Sequence, residues 1–330
     1  MNILSRTSIA ICVLTFVSGC NHSFEHVTST QATVFNQSVM TAATNLQASI
    51  AEVQSVEVDN QVDVFANGNE RTLEHLSLDS KLTDSVAKGI TSEFGFLVSY
   101  SASLKDATTP GTSWTTSVSS LNSAASKAAT DASSLTGAIG EKNLLTAADV
   151  QTFNTDAGNV ANAVSSVGQG LLTIYGEEKA YKIANAADKA VQKYCADLED
   201  LLTKDSDSDL AAPKTGLAGI LYADYEVKKS VLKNLATTAF PPGEYENPNH
   251  LQFFLARRDL VHNYSTLLTN EKSGVAKIIS LRKAVADIAS AHAALANKDD
   301  KGFKEEIADA ADLLKSAFTS SQSGSANTQK

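Results

Sequence analysis

Proline is scarce in this chain, with five among 330 residues. All five (Pro110, Pro213, Pro241, Pro242 and Pro248) stand in segments rich in Gly, Asp, Asn or Thr. Proline removes a backbone donor and clashes with the preceding turn, so the long stretches without it are open to helix. Aromatic residues make up 6% of the chain, with a single tryptophan, so any helical seams must be narrow and rich in alanine. Basic residues are also in deficit, 27 against 37 acidic, for a net charge of −10. Such a surface repels phosphate backbones and argues against nucleic acid as a partner. No G-x-S-x-G, C-x-x-C or P-loop string occurs, and no sequence feature points to a cofactor.

What is present begins at the N-terminus. Arg6 supplies positive charge, Ile9 to Val17 form an apolar core, and small residues Ser18 and Gly19 precede Cys20. The core is too short to span a bilayer. The junction Val17-Ser18-Gly19-Cys20 resembles the lipobox of bacterial lipoproteins, a likeness that covers about twenty residues of the 330. The resemblance implies cleavage before Cys20 and lipid on its sulfur, so that residues 1–19 are a signal peptide and the membrane is a partner through that lipid. It also implies the outer rather than the inner membrane, because Asn21 stands where an aspartate would retain a lipoprotein in the inner one. A mature chain starting at Cys20 loses only Arg6 among charged residues, which leaves 26 basic against 37 acidic side chains. Of the three cysteines, Cys12 leaves with the signal and Cys20 carries lipid. Cys195 is then the one thiol left, and no internal disulfide can form.

Hydrophobic periodicity predicts helices throughout. Steps of four and three run through Trp114, Val118, Leu121, Ala125, Ala128, Ala132, Leu135 and Ile139, and again through Val150, Phe153, Ala157, Val160, Val164, Val167, Leu171 and Ile174. Thr146 with Asp149 three residues later reads as the cap of the second helix. Gly168, Gly170 and Gly176 predict a kink or break, after which Ala187, Val191, Tyr194, Leu198 and Leu201 resume a stripe. The longest pattern joins Phe253, Leu260, Tyr264, Leu267, Ile278, Leu281, Val285, Ile288 and Leu295, interrupted at Arg257, Glu271, Gly274 and His292. It predicts a helix of about 45 residues, roughly 70 Å long at 1.5 Å per residue. Lys277, off that stripe, reads as a solvated residue. Leu82, Val86, Ile90, Leu97 and Leu104 mark a further helix. Phe35, Val39, Ala42, Leu46, Val53 and Val56 form another, broken at Ser49. Residues 53–65 also alternate in a way that suits a short strand pair around Asn60, with helix the preferred reading.

The expected fold is all-α, an elongated antiparallel bundle of about six or seven helices. A lipidated N-terminus and tether (20–30) would lead into the bundle domain (31–318), and a disordered tail (319–330) would follow it.

Candidate sites are few. His22-Ser23-Phe24-Glu25-His26 matches the H-x-x-E-H pattern that can hold zinc on a helix. It begins two residues after Cys20, where the chain reads as a tether rather than a cleft. Asp205-Ser206-Asp207-Ser208-Asp209 resembles half of an EF-hand calcium loop, but Leu210 replaces the turn glycine and Gly216 the closing glutamate. Cys195 sits beside Tyr194 on an apolar stripe and reads as core packing, the alternative being a nucleophile with a nearby base. His75, His250, His262 and His292 do not pair at metal-ligand spacing, and His292 reads as a satisfied, partly buried residue. Arg257 occupies a seam position suited to a buried ion pair. The loop from Pro241 to Asn249 carries Tyr245 between two acids, as a partner contact or simply a hairpin.

Catalytic, cofactor and metal residues are therefore expected to be absent, with lipidation at Cys20 the one assigned modification. The sequence is best read as a non-catalytic envelope lipoprotein whose helical body acts as a scaffold, spacer or docking surface for another envelope protein, with self-association also open. A membrane-active or pore-forming bundle, using Gly95 to Tyr100 or Gly216 to Tyr222, and an enzyme of unrecognised type are the alternatives.

Overall fold

The computed structural model describes residues 27–67, 82–109, 114–131, 135, 138–139, 142–143, 147–170, 177–205, 211–239 and 250–319. Among them are eight helices: α1 (Ser29–Asn67), α2 (Asp84–Thr108), α3 (Trp114–Asp131), α4 (Ala147–Gly170), α5 (Glu177–Leu202), α6 (Gly216–Ala239), α7 (His250–Ala296) and α8 (Asp300–Thr319). A minimal antiparallel ladder pairs β1 (Ala138–Ile139) with β2 (Lys142–Asn143). The fold is an all-α bundle, with more helices than the six or seven expected.

Four helices make the centre. α1 lies against α2 and α7, and α5 lies against both α2 and α7. Their directions follow from side-chain contacts at known heights. Ser101 near the end of α2 bonds Asn36 near the start of α1, while Gln54 and Glu57 of α1 bond the backbone of Leu82 just before α2. The two helices are therefore antiparallel. α5 and α7 are antiparallel as well, since Asn185 reaches Ala296 O while Arg282 pairs with Glu199. α3 and α4 extend the bundle along the side of α2 and α5, and α8 folds back along α7 and α1. α6 packs against α1 and α7.

The apolar stripes face inward as their spacing predicts. Phe35, Val39, Ala42, Leu46 and Val53 of α1 are buried, and so is Ser49, whose hydroxyl returns a hydrogen bond to Asn45 O and so does not break the stripe. Residues 53–65 are helix throughout, which removes the strand alternative. α7 spans 47 residues, close to the length read from its pattern. α4 and α5 pack against each other, so they are two helices rather than one kinked helix. The cap residue Thr146 lies outside the described residues.

Three expectations are corrected. The helix from Trp114 stops at Asp131 instead of running to Ile139. Its last seam positions relied on Ala132 and on a segment holding Gly137 and Gly140, where glycine weakens helix by about 1 kcal/mol each. Leu135 is still buried, and Gly140-Glu141 separates the paired strands, a Gly-X pair favoured in two-residue hairpins. The tether also ends earlier than residue 30. Val27 is buried, and Thr28 with Gln31 forms a reciprocal cap, each backbone amide donating to the other's side chain. Lys277 is not solvated but donates to Glu52 of α1 at 2.8 Å, with its side chain 13% exposed.

The interruptions in the α7 stripe have physical reasons. A Cβ at Gly274 would meet Glu52 Oε1 at 2.5 Å, so glycine makes room for the carboxylate that Lys277 binds. Glu271 pairs with Lys229 of α6 at 2.9 Å. Replacing Leu281 by Asp should cost about 3–5 kcal/mol by burying an unpaired charge, read as a lower urea midpoint. Lys277→Asp should cost about 1–2 kcal/mol, because the pair is only partly buried, and adding Glu52→Lys should recover most of that loss.

Candidate functional site

The centre of the bundle is not wholly apolar. At one level Phe35 of α1, Tyr100 of α2, Asp188 of α5 and His292 of α7 meet. His292 is fully buried, its Nδ1 lies 3.0 Å from Asp188 Oδ1, and its Nε2 lies 2.6 Å from the Tyr100 hydroxyl. The hydrogen bond from His292 holds the Asp188 carboxyl below its ordinary range, against the cost of burial. An ionised carboxylate only accepts, so Nδ1 carries a proton and, in the neutral imidazole, Nε2 accepts from Tyr100. Burial, with the Asp188 charge behind it, pushes the Tyr100 phenol well up, so it keeps its proton. The Phe35 ring packs tilted against the imidazole at 5.8 Å.

A second polar centre lies about two turns away along α2. Tyr194 of α5 donates to Glu93 Oε2 at 2.6 Å and also lies 2.8 Å from Glu93 O, while Phe96 and Phe153 press their rings edge-on against it. Glu93 is buried and its Oε1 has no hydrogen-bond partner. Burial raises its carboxyl from 4.5 to about 7, opposed by the Tyr194 hydrogen bond and assisted by the charge of Asp131. Asp197 is likewise raised to about 7, first by burial and then by Asp156, Asp200, Asp149 and Glu93. Nearer the surface, Asp131 is held at about 2, chiefly by the Ser92 hydroxyl at 2.6 Å, with Lys88 and Lys127 beside it.

These groups have the composition of acid–base machinery, yet protein surrounds them. General acid–base work needs the proton within reach of a bound substrate. His292, Tyr100, Tyr194 and Glu93 are each no more than 1% exposed. A cavity of ≈ 320 Å³ lies elsewhere, between α2 and α3, lined by small polar side chains from Ser99 to Ser120. Its Ser103 and Ser117 hydroxyls are already committed, to Ser99 O and to Asp106.

The residues singled out from sequence are placed as follows. Cys195 is fully buried, and burial pushes its thiol far up, with Glu199 and Asp197 adding to the effect; it packs as a small apolar residue. His292 is satisfied, but buried completely rather than partly. His262 is exposed, and so is Arg257, which decides against the buried pair that its seam position left open. Asp205 uses its carboxylate as a backbone clamp, accepting from the amides of Lys214 and Thr215 that lead into α6. Burial opposes its ionisation, and those donors hold its carboxyl below the ordinary value. Gly216, at φ +61°, follows directly, and a Cβ there would strike Leu202 O at 2.6 Å. The Gly95–Tyr100 and Gly216–Tyr222 segments bury Phe96, Leu97, Leu217 and Leu221 in the core. His22, Glu25, His26, His75, Asp207, Asp209, Cys20 and the loop 241–249 lie outside the described residues, as does the side chain of His250. Among the described residues no group of three or more His, Cys, Asp or Glu is placed to hold a metal.

Sequence reasoning passed over Tyr100, Asp188, Glu93 and Tyr194 as a network. The available signal was polar residues next to seam positions, as with Asp188 beside Ala187. Comparison adds no relative, since no known protein family, curated protein or solved structure matches the chain.

The raised Glu93 carboxyl makes stability depend on pH. Between 4.5 and about 7 the folded state holds a proton that the unfolded state releases, so this contribution is complete below 4.5 and lost as pH rises through 7. The melting midpoint should therefore fall from pH 5 to pH 8. Glu93→Gln should flatten that slope and leave the part due to Asp197, whose carboxyl is raised to about the same value. In the same protein, Cys195 should resist a thiol reagent until the chain is unfolded by denaturant.

Proposed function

We propose that this chain is a lipid-anchored protein of the bacterial envelope whose helical body is a scaffold, spacer and docking surface for other envelope components. The observation that carries this reading is where apolar surface is left open. Eight large apolar side chains stand exposed among the described residues: Met40, Val62, Val64, Val227, Phe254, Leu255, Val261 and Leu268. All but Met40 belong to the end of α1, the middle of α6 or the first half of α7. These segments lie together, since Asn60 of α1 bonds Asp224 O of α6 and Lys228 pairs with Asp59 and Asp63.

The start of α1 is at the opposite end, where Gln31 donates to Asp300 at the head of α8. A chain tethered through Cys20 would thus enter at one end and offer apolar side chains at the other. The length of α7 sets the two ends roughly 70 Å apart. From Cys20 to His26 the tether adds about 25 Å at most. No described helix is long and apolar enough to cross a membrane, so the lipid on Cys20 is the proposed attachment. Asn21 favours the outer membrane.

Fractionation of cells producing the full-length chain tests the anchor. Wild-type protein should sediment with membranes as a mature form, and Cys20→Ser should appear in the soluble fraction or as unprocessed precursor. Mature Cys20→Ser protein that still sediments with membranes would sink the proposal.

A further inference from the structure

Within its first half, α7 carries two apolar lines side by side. Phe253, Leu260 and Leu267 are partly or fully covered, on the helix that packs against α6. Phe254, Val261 and Leu268 recur at the same seven-residue interval one position on, and they are 54%, 61% and 42% exposed. α6 cannot cover both lines. Beyond Tyr225 none of its described side chains is fully buried, and Val231, Leu232, Leu235 and Ala236 are only half-buried. The paired ends of α6 and α7 thus form a two-helix arm that projects past the bundle with one seam filled and one open.

An open heptad line fits another helix, because seven-residue spacing keeps one stripe facing a partner over several turns. We propose that the occupant is the same line of a second copy of this chain, the two arms meeting antiparallel about Val261. The line is symmetric around that residue. Phe254 then faces Leu268 of the second copy, and Val261 faces its own counterpart, as an isologous contact requires. Charge allows this meeting where the rest of the surface opposes it. Along residues 250–270 the charged side chains are Arg257, Arg258 and Asp259, a net of +1 in a chain of net charge −10, and about Val261 none of them falls opposite its own counterpart. In this register Arg258 falls opposite Tyr264 rather than another arginine. The three layers span about 21 Å, so the contact is smaller than a standard stable interface. Association is accordingly weak in solution and strengthened where copies are concentrated on a membrane. It places the entering ends of the two chains roughly 100 Å apart, at opposite ends of a doubled rod.

The inference deepens the docking reading by naming a partner, and it holds whether or not Cys20 carries lipid. Its test is cross-linking of the full-length chain in intact cells with a short bis-maleimide, which joins two thiols without any redox step. Val261→Cys should cross-link to dimer at least ten-fold more than Lys283→Cys, an exposed position on the body. Phe254→Cys should cross-link poorly by itself but give a mixed dimer when produced together with Leu268→Cys. The soluble Cys20→Ser chain should show concentration-dependent mass by sedimentation. Adding Val261→Asp should raise the dissociation constant at least ten-fold with the melting midpoint unchanged, since residue 261 is exposed. Repeating the cross-linking in the Cys20→Ser background separates failure of the anchor from failure of the dimer. Equal cross-linking at 261 and 283, or self-linking at 254 as strong as at 261, would overturn the proposal. So would a monomeric chain whose Val261→Asp variant loses binding to vesicles containing anionic lipid, which would make lipid the occupant.

Discussion

Covering α7 is the constraint on which the rest of the structure depends. A helix of 47 residues has an apolar stripe that water would meet along its whole length, and no single neighbour of this chain is long enough to cover it. The cover is assembled in pieces. α5 and α8 take the C-terminal half, where Ile278, Leu281, Val285 and Ile288 are buried completely, and α1 and α6 take the middle. What remains is the beginning of α7, which reaches past the described end of α1 and has, among the described helices, α6 beside it. The same length therefore builds the core at one end and leaves apolar surface at the other.

Polar contacts set the height at which these helices meet. An alanine-rich seam tolerates sliding, because one small side chain resembles the next. The Asp188–His292–Tyr100 chain does not, since a shift of one turn would leave a buried imidazole and a buried phenol without partners, at about 1–3 kcal/mol for each, and strip the half-buried Asp188 of its donor. Glu52 with Lys277, and Glu271 with Lys229, index α1 and α6 against α7 in the same manner. Glu93 is the exception within this order. Its side chain is held by Tyr194 on one oxygen only, and burial raises its carboxyl to about 7, so it gains and loses its proton around neutrality.

Periodicity made most of the helical framework legible in the sequence, because three-and-four spacing reports a buried face directly. It placed the seams of α1, α2, α4, α5 and α7. It failed beyond Asp131, where alanine counted as apolar and the glycines around Ile139 were given too little weight. The polar layer was only partly visible. His292 stood out as an interruption, but its partners lie 104 and 192 residues away in sequence, and helical spacing says nothing about which helix faces which. Lys277 was misjudged for the same reason. Position relative to one stripe cannot reveal a carboxylate arriving from α1. Arg257 shows the converse limit, since a seam position is buried only where a neighbouring helix is present to bury it.

The central claim is that one long helix organises a rod with a covered end and an open end. Small-angle X-ray scattering from the dilute, soluble Cys20→Ser chain tests this most directly. A compact chain of this length would have a radius of gyration near 20 Å. The account predicts an elongated profile, with a radius of gyration clearly above that and a maximum dimension of at least about 70 Å, the length of α7 alone. A spherical profile with a maximum dimension near 50 Å would contradict it, and would remove the projecting arm on which the docking reading rests.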